Sequence, residues 1–212
     1  MLVAQPAGAV LRSEYSFNAH ISSPTAVQVR PRSDRPIKHT FTTRPATIND
    51  APAIASLGSR VFSTTFGFSI PPCDLKAYLD EAYSTDAVEN DVRSASTQLI
   101  VACAGPDDRV IGFAQLTEFT SEPCIEDLES IIELQRLYVD PDFHGSGIGK
   151  TLTKEVEAIA RGQGYRIMWL GVWEGNFKAQ RVYEAMGFTR VGEHEFKMGR
   201  CIQTDWIMIK DL

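Results

Sequence analysis

The stretch DFHGSGIGKT, residues 142–151, decides how this chain of 212 residues folds. It follows an apolar run, IIELQRLYV at 131–139, and it leads into a segment where Ile148, Leu152 and Val156 recur at helical spacing. A strand, a glycine-rich turn and a helix therefore follow one another directly. The backbone N–H groups of such a turn, together with the positive end of the helix dipole, hold phosphate groups. The stretch predicts a diphosphate site at a strand-to-helix junction.

Two common glycine-loop patterns do not match this stretch. A Walker A loop needs a glycine five positions before the glycine of Gly149-Lys150-Thr151, and that position is His144. The dinucleotide pattern G-x-G-x-x-G also fails, because Gly145, Gly147 and Gly149 run as G-x-G-x-G. The residues after the loop end in two apolar segments typical of a hairpin, which leaves too few strand–helix units for a nucleotide-binding sheet. A nucleotide-hydrolysing P-loop protein remains as a rival enzyme class.

Strand and helix patterns alternate over residues 40–212, and neither an internal repeat nor a linker interrupts them. This alternation predicts one α/β domain. The segment 85–96 stays open between loop and one or two helical turns. Strands are expected at 40–47, 97–104, 109–119, 131–139, 167–173, 188–198 and 201–210, and helices from Asp50 through Val61, at 73–84, from the glycine loop to Gly162 or Gly164, and at 176–186.

Composition limits the class of function. With 21 basic and 27 acidic residues the net charge is −6, which argues against a nucleic-acid partner and permits a cationic small molecule. No run approaches eighteen apolar residues, so no membrane span is expected. The four cysteines form no CxxC pair, which predicts reduced, buried thiols in a cytoplasmic protein without a metal site. Residues 1–39 carry prolines, serines and arginines without a period, which predicts a poorly ordered tail.

Two motifs resemble the GNAT superfamily of acyl-CoA-dependent N-acetyltransferases. HGSGIG at 144–149 is similar to its [Gln/Arg]-x-x-Gly-x-[Gly/Ala] loop, with His144 in place of the usual first residue. NFKAQRVYEAMGF at 176–188 is similar to its N-x-x-A-x-x-x-Y-x-x-x-G-F segment. Within the superfamily the chain resembles the bacterial PaiA-type spermidine/spermine N-acetyltransferases over about residues 40–212, through FSTTFG, IELQRLYV, WLGVWEGN, GEHEFKMG and QTDWIMIK.

This resemblance implies a central mixed, twisted β-sheet flanked by helices on both faces. It also implies acetyl-CoA as co-substrate, with main-chain atoms of one strand pairing the pantetheine and an N–H near Leu137 facing the thioester carbonyl. Tyr183 would give a proton to the departing thiolate, and helical geometry puts Asn176, Ala179 and Tyr183 along one strip. The expected cofactor residues are Leu137, Tyr138, Val139, His144, Gly145, Ser146, Gly147, Ile148, Gly149, Lys150, Asn176, Ala179 and Tyr183.

The acceptor amine needs a base, because an alkyl ammonium is almost fully protonated at neutral pH. Glu133, on the strand before the loop, is the candidate, against the alternative of a solvent-facing glutamate. His194 is the second candidate, as part of a proton relay. Neither Cys103 nor Cys201 has a base nearby in sequence, so direct transfer without a metal is expected in place of an acyl-cysteine.

The substrate prediction is a primary amine, a polyamine such as spermidine or spermine. Between Glu118 and Glu133 the chain carries six acidic residues that either face the acceptor or form a solvated loop. Amino-acid or peptide amines are the alternative acceptors, and a non-catalytic acyl-CoA sensor is the alternative class. The protein is expected to act as a monomer or a homodimer.

Overall fold

A computed structural model describes residues 40–212; the predicted tail, residues 1–39, lies outside the described part. Seven strands form one sheet in the order β1-β2-β3-β4-β5-β7-β6. The pair β4–β5 is parallel and the other pairs are antiparallel. The strands are β1 Phe41–Pro45, β2 Thr97–Ala104, β3 Arg109–Thr117, β4 Ile131–Val139, β5 Ile167–Trp173, β6 Thr189–Met198 and β7 Cys201–Asp211.

Helices cover both faces of this sheet. The face under α1, α2 and α3 is called the front face, and the face under α4 and α5 the back face. Each face has its own apolar core, built around Phe62, Phe66 and Phe113 in front and around Leu152, Leu170 and Tyr183 at the back. The predicted fold class is therefore confirmed. The helices are α1 Ala51–Phe66, α2 Pro72–Ala82, α3 Thr85–Arg93, α4 Ile148–Gly162 and α5 Phe177–Ala185.

Local side-chain chemistry explains where the elements differ from the expected ones. The open segment after residue 84 forms α3, because the Ser84 side chain accepts a hydrogen bond from the Ala87 N–H and Val88 is buried in the front core. The first strand ends at Pro45, since the Asp50 carboxylate accepts the Thr47 N–H at 2.7 Å and starts a helical turn. None of the helices between residues 40 and 212 is long and apolar enough to cross a membrane.

The prediction of four buried cysteines is wrong for two of them. Cys103 is buried in the front core and Cys201 is half-buried, but Cys73 and Cys124 are exposed. Cys73 lies in the first turn of α2, and Cys124 lies in the short 3-10 turn Pro123–Ile125, whose inward position is taken by Ile125. Spacing along the sequence does not tell which side of a short turn faces the core.

The strands β4 and β5 separate in the middle of the sheet. Their parallel pairing covers Ile131–Glu133 of β4 against Ile167–Trp169 of β5. From Leu134 onward β4 continues to pair with β3, across a bulge at Gln135, while β5 continues to pair with β7. The separation opens the sheet between the two strands and leaves the second half of β4 without a partner in β5.

A buried carboxylate fixes the far end of β4. Asp140 is fully buried and accepts hydrogen bonds from Arg60 of α1 at 2.8 Å and from Arg109 of β3 at 2.9 Å. Burial alone would raise the pKa of Asp140, but the two guanidinium groups and the Asp142 N–H lower it on balance. The stability that Asp140 contributes is therefore present above the ordinary carboxyl pKa and lost as the pH falls through its lowered folded value.

Replacing Asp140→Asn should lower the free energy of unfolding by about 2 kcal/mol at neutral pH, because two charged hydrogen bonds to a buried group are lost. Urea denaturation measures this change. The matched control is Asp142→Asn, an exposed carboxylate two residues on, for which a change within about 0.5 kcal/mol is expected. Equal effects of the two substitutions would contradict the role given to Asp140.

Candidate active site

The glycine-rich loop takes a backbone conformation that needs its glycines. The chain leaves β4, makes a 3-10 turn at Pro141–Phe143 and enters α4 at Ile148. Gly145 has φ 82° and Gly147 has φ 85°, both in the left-handed region. The N–H groups in the first turn of α4 have no acceptor within the helix and lie at the positive end of its dipole. The predicted strand, loop and helix are thus all present.

A cleft of about 470 Å³ lies beside this loop. It is bounded by the end of β4, the loop, the start of α4 and one side of α5. Seven of the predicted cofactor residues line it: Val139, His144, Gly145, Gly147, Ile148, Gly149 and Lys150. Of the remaining predicted residues, Leu137, Ala179 and Tyr183 are buried in the back core and Tyr138 in the front core. Asn176 caps the start of α5, and Ser146 is half-buried in the loop.

Sequence reasoning missed the contribution of α5 to the cleft. Lys178, Arg181, Val182 and Ala185 line it, at the i, i+3, i+4 and i+7 spacing of one helix side. That spacing was the available signal. With Lys150 the cleft has three cationic side chains, which favours a ligand with several phosphate groups.

His144 binds the protein's own backbone. Its Nε2 lies 3.1 Å from the carbonyl oxygen of Val139, and since a carbonyl only accepts, Nε2 is the donor. Burial lowers the pKa of His144. A neutral imidazole therefore closes the loop onto the end of β4 at the position where the superfamily pattern has Gln or Arg.

The strip Asn176, Ala179 and Tyr183 lies on α5 as its spacing predicts. The Asn176 Oδ1 accepts the Ala179 N–H at 3.2 Å and caps the helix, while its buried Nδ2 has no hydrogen-bond partner among residues 40–212. Tyr183 is fully buried against Phe188, and its hydroxyl has no partner in the same part of the chain. Burial raises the pKa of Tyr183, so its phenol keeps its proton at neutral pH.

Glu133 is a buried carboxyl group at the point where β4 and β5 separate. It is 2% exposed, and its Oε1 has no hydrogen-bond partner in the described chain. Burial raises the pKa of Glu133 to about 8, the nearby Thr120 hydroxyl opposes this rise, and Glu122 adds to it. The alternative of a solvent-facing glutamate is therefore wrong. A carboxyl group with this pKa exchanges a proton close to neutral pH.

His194 lies between two carboxylates. Its Nδ1 is 2.8 Å from Oε1 of Glu122, in a geometry that is not that of a hydrogen bond, and its Nε2 is 3.9 Å from Oδ2 of Asp205. Burial alone lowers the pKa of His194, but Asp205 and Glu122 outweigh it and the net shift is upward. The two carboxylates therefore stabilise the charged form of this imidazole relative to its ordinary state. The sequence suggested His194 but not Asp205, which lies eleven residues away on the paired strand β7.

The acidic segment 118–133 divides into two groups. Glu122 and Glu133 are buried. Glu118 is half-buried, and Glu126, Asp127 and Glu129 are exposed. Most of this segment is thus a solvated loop, and two of its carboxylates enter the interior of the front face.

The two candidate acyl-carrier cysteines are poor nucleophiles. Burial raises the pKa of the Cys103 thiol to about 11, and it also raises the pKa of Cys201. Both thiols stay protonated at neutral pH, and the thiolate is the reactive form. These shifts favour direct transfer over a covalent cysteine intermediate.

The fold combines a sheet that opens between β4 and β5 with a cationic cleft beside a glycine-rich loop. The chain belongs to the acetyltransferase (GNAT) family, whose sequence profile matches residues 63–188. It is therefore an N-acetyltransferase that uses acetyl-CoA as co-substrate.

Individual relatives agree with this family. The chain is 28% identical over 163 residues to an uncharacterized N-acetyltransferase in the pepI 3′ region of Lactobacillus delbrueckii subsp. lactis, covering 77% of this chain and 92% of that one. It is 31% identical to streptothricin acetyltransferase of Streptomyces lavendulae, over 72% of this chain and 84% of the relative. A crystal structure of the Thermoplasma acidophilum PaiA N-acetyltransferase with coenzyme A has a TM-score of 0.66 and 24% identity, over 82% and 99% of the two chains.

Replacing Gly147→Ala should lower the free energy of unfolding by about 1–2 kcal/mol, the cost of a left-handed residue with a Cβ. It should also weaken coenzyme A binding, because the loop would shift to relieve that strain. Urea denaturation and calorimetric titration with coenzyme A measure the two effects.

The matched control is Gly162→Ala, the same change at the last residue of α4. That backbone is helical and an added Cβ meets no atom within 4 Å, so the substitution should stabilise the protein by about 0.5–1 kcal/mol and leave coenzyme A affinity unchanged. Equal loss of stability in both variants would contradict the conformational role of Gly147.

Proposed function

We propose that the protein transfers the acetyl group of acetyl-CoA to a primary amine of a polyamine, such as spermidine or spermine, within a ternary complex. The observation that carries this proposal is the buried carboxyl of Glu133, at the opening of the sheet and with a pKa of about 8. The three cations of the cleft suit the phosphorylated end of the cofactor, and the carboxylates of the front face suit a cationic acceptor.

The cofactor would occupy the cleft and the opening between β4 and β5. The N–H groups of the loop and of the first turn of α4 would bind the diphosphate. Main-chain groups of Leu137, Tyr138 and Val139 would pair the pantetheine amides, since this part of β4 has no partner in β5. The free Nδ2 of Asn176 would supply a further donor, and Ala179 would leave room for the pantetheine.

The proton balance assigns one role to each of two buried groups. Glu133 accepts a proton from the ammonium group, and the free amine then attacks the thioester carbon as the C–S bond breaks. The N–H of Leu137 faces the oxyanion, a contact worth about 3 kcal/mol in other enzymes. Tyr183 gives its proton to the thiolate and later recovers one, while Glu133 releases the proton it took. His194, with its raised pKa, stays an alternative member of the proton path.

One relative supports a second class of acceptor, amines other than polyamines. Streptothricin acetyltransferase aligns with 72% of this chain, and its name gives streptothricin as the acceptor. An acceptor panel therefore includes amines other than polyamines.

The direct test is release of free thiol from acetyl-CoA with spermidine, spermine, lysine, streptothricin and peptides as acceptors. The proposal expects the highest kcat/KM with spermidine or spermine. Acetylation of peptides or lysine alone would contradict the polyamine acceptor but would agree with an acetyltransferase activity. Binding of coenzyme A without thiol release on any amine would favour the non-catalytic sensor.

The pH dependence tests Glu133. A general base works in its deprotonated form, so log kcat/KM should rise with pH and level off near pH 8, with roughly a tenfold loss per pH unit below it. Glu133→Gln should lower kcat/KM at pH 8 by about a hundredfold or more and remove this limb of the profile. The matched control is Glu129→Gln, an exposed carboxylate of the same segment, which should keep the profile. An unchanged profile in Glu133→Gln would refute the assignment and favour His194.

Tyr183→Phe should separate stability from catalysis. Removing a buried hydroxyl that has no partner should leave the free energy of unfolding unchanged or slightly higher, whereas kcat should fall at least about tenfold because the thiolate loses its proton donor. Thermal unfolding and steady-state kinetics give the two readouts. A variant with full kcat would show that the hydroxyl takes no part in the reaction.

A further inference from the structure

The front face of the sheet carries a polar band between two apolar regions. One region is the front core, where Phe66 and Phe196 pack with the half-buried Trp173. The other is a smaller cluster of Ile125, Trp169 and Ile207. Side chains between these regions are neither in contact with bulk water nor part of an apolar core, so each polar atom there needs a partner.

Strand register shows how the band crosses the sheet. Asp205 of β7 is paired with Trp173 of β5 on one side and with His194 of β6 on the other, and paired residues present their side chains on the same face. Between Trp169 and Trp173, the residue of β5 that faces the front is Gly171, which places no side chain in the band. The band therefore runs from Glu133 on β4, past a glycine, to Asp205 and His194.

Asp205 is the carboxylate in this band with neither oxygen hydrogen-bonded, beside an imidazole whose two nitrogens are also unpaired among residues 40–212. It is fully buried, and neither of its carboxylate oxygens has a hydrogen-bond partner among residues 40–212. The Nε2 of His194, at 3.9 Å, is beyond hydrogen-bond length. Two residues along the same face of β7, the buried Oε1 of Gln203 also lacks a donor, while its Nε2 is bonded to Ser69 at 2.7 Å. Unpaired buried acceptors of this kind are costly, unless a ligand supplies the donors.

The charged side chains of the band carry more negative than positive charge, which favours a cationic ligand. Three carboxylates, Glu122, Glu133 and Asp205, surround one imidazole, His194, which leaves an excess of negative charge when all are ionised. Arg136, the nearest guanidinium, is paired with Asp91 at 2.6 Å. Glu122 and Asp205 both lie within ion-pair distance of His194, so one charged imidazole leaves one of their two negative charges without a counter-charge. No group of side chains between residues 40 and 212 has the arrangement of a metal site.

We propose that Asp205, with Gln203 beside it, binds a second ammonium group of the acceptor, while the first ammonium group lies at Glu133. An ammonium group has three N–H donors and no acceptor, which matches the two oxygens of Asp205 and the amide oxygen of Gln203. The substrate is thereby a diamine or a longer polyamine, and a monoamine lacks the group that Asp205 requires. This inference rests on the proposed function and assigns Asp205 as a residue that determines specificity.

Matched acceptors test the inference in the unmodified protein. Asp205 lies four positions along β7 from the residue aligned with Glu133, about 13 Å of strand, so a long diamine is used. 1,8-Diaminooctane and 1-aminooctane share the reacting amine and the chain length, and 8-amino-1-octanol replaces the second ammonium by a neutral hydroxyl. The kcat/KM for the diamine should exceed that for either partner by about tenfold to a hundredfold, the effect of a hydrogen bond between charged groups. Equal kcat/KM for the three amines would overturn the inference without any variant.

The variant Asp205→Asn keeps the shape of the side chain and removes its charge. The diamine-to-monoamine ratio should fall to about one, through a higher KM for the diamine. Glu193→Gln, the neighbour of His194 on β6 and an exposed charge on the opposite side of the strand, should retain the full ratio. An unchanged diamine-to-monoamine ratio of kcat/KM in Asp205→Asn would contradict the role of Asp205. Circular dichroism checks the fold of the variant; should it not fold, the ratio of the unmodified protein decides.

The outcomes separate this inference from the proposed function. Thiol release with polyamines, combined with equal rates on diamines and monoamines, keeps the function and rejects the subsite. No thiol release with any amine rejects the function, and the subsite with it.

Discussion

The arrangement of the whole site depends on where β4 and β5 stop pairing. Their hydrogen-bonded contact ends at Glu133 and Trp169, in the interior of a seven-stranded sheet. Past that point the β5-facing backbone groups of β4 are left for another partner, and buried backbone groups are rarely left unpaired. An extended ligand with its own amides is such a partner. The same separation opens a gap between the front and back faces of the sheet.

Several interactions hold the separated half of β4 in place without β5. Gln135, at the bulge, accepts a hydrogen bond from Gln115 at 2.7 Å and one from Thr117 at 3.0 Å. Arg136, buried among aromatic rings, reaches Asp91 of α3, and Asp140 joins the end of the strand to α1 and β3. The opening is therefore held by the front-face helices and by β3, through contacts within the protein itself. Such pre-organisation lowers the free-energy cost of binding.

Local patterns were enough to predict the fold and the glycine-rich loop beside the cleft. The order of strand, glycine loop and helix, and the Asn176–Tyr183 strip, depend on residues close in sequence, so spacing predicts them. The acceptor side depends on pairings that spacing does not show. Glu122 and His194 are 72 positions apart in the chain, and their contact follows from the way a loop crosses β6. Burial decides the rest, since a glutamate side chain is a solvated charge at Glu129 and a carboxyl group with a pKa near 8 at Glu133.

Hydrogen exchange of backbone amides, with and without coenzyme A, tests whether the cofactor lies along the separated half of β4 and against the glycine-rich loop. The account predicts that saturating coenzyme A slows exchange in two places, the second half of β4 from Leu134 to Val139 and the loop from Gly145 to Lys150, and leaves β2 and β6 unchanged. Protection confined to another surface, such as the groove between α1 and α2, with no change in β4 or the loop, would contradict it.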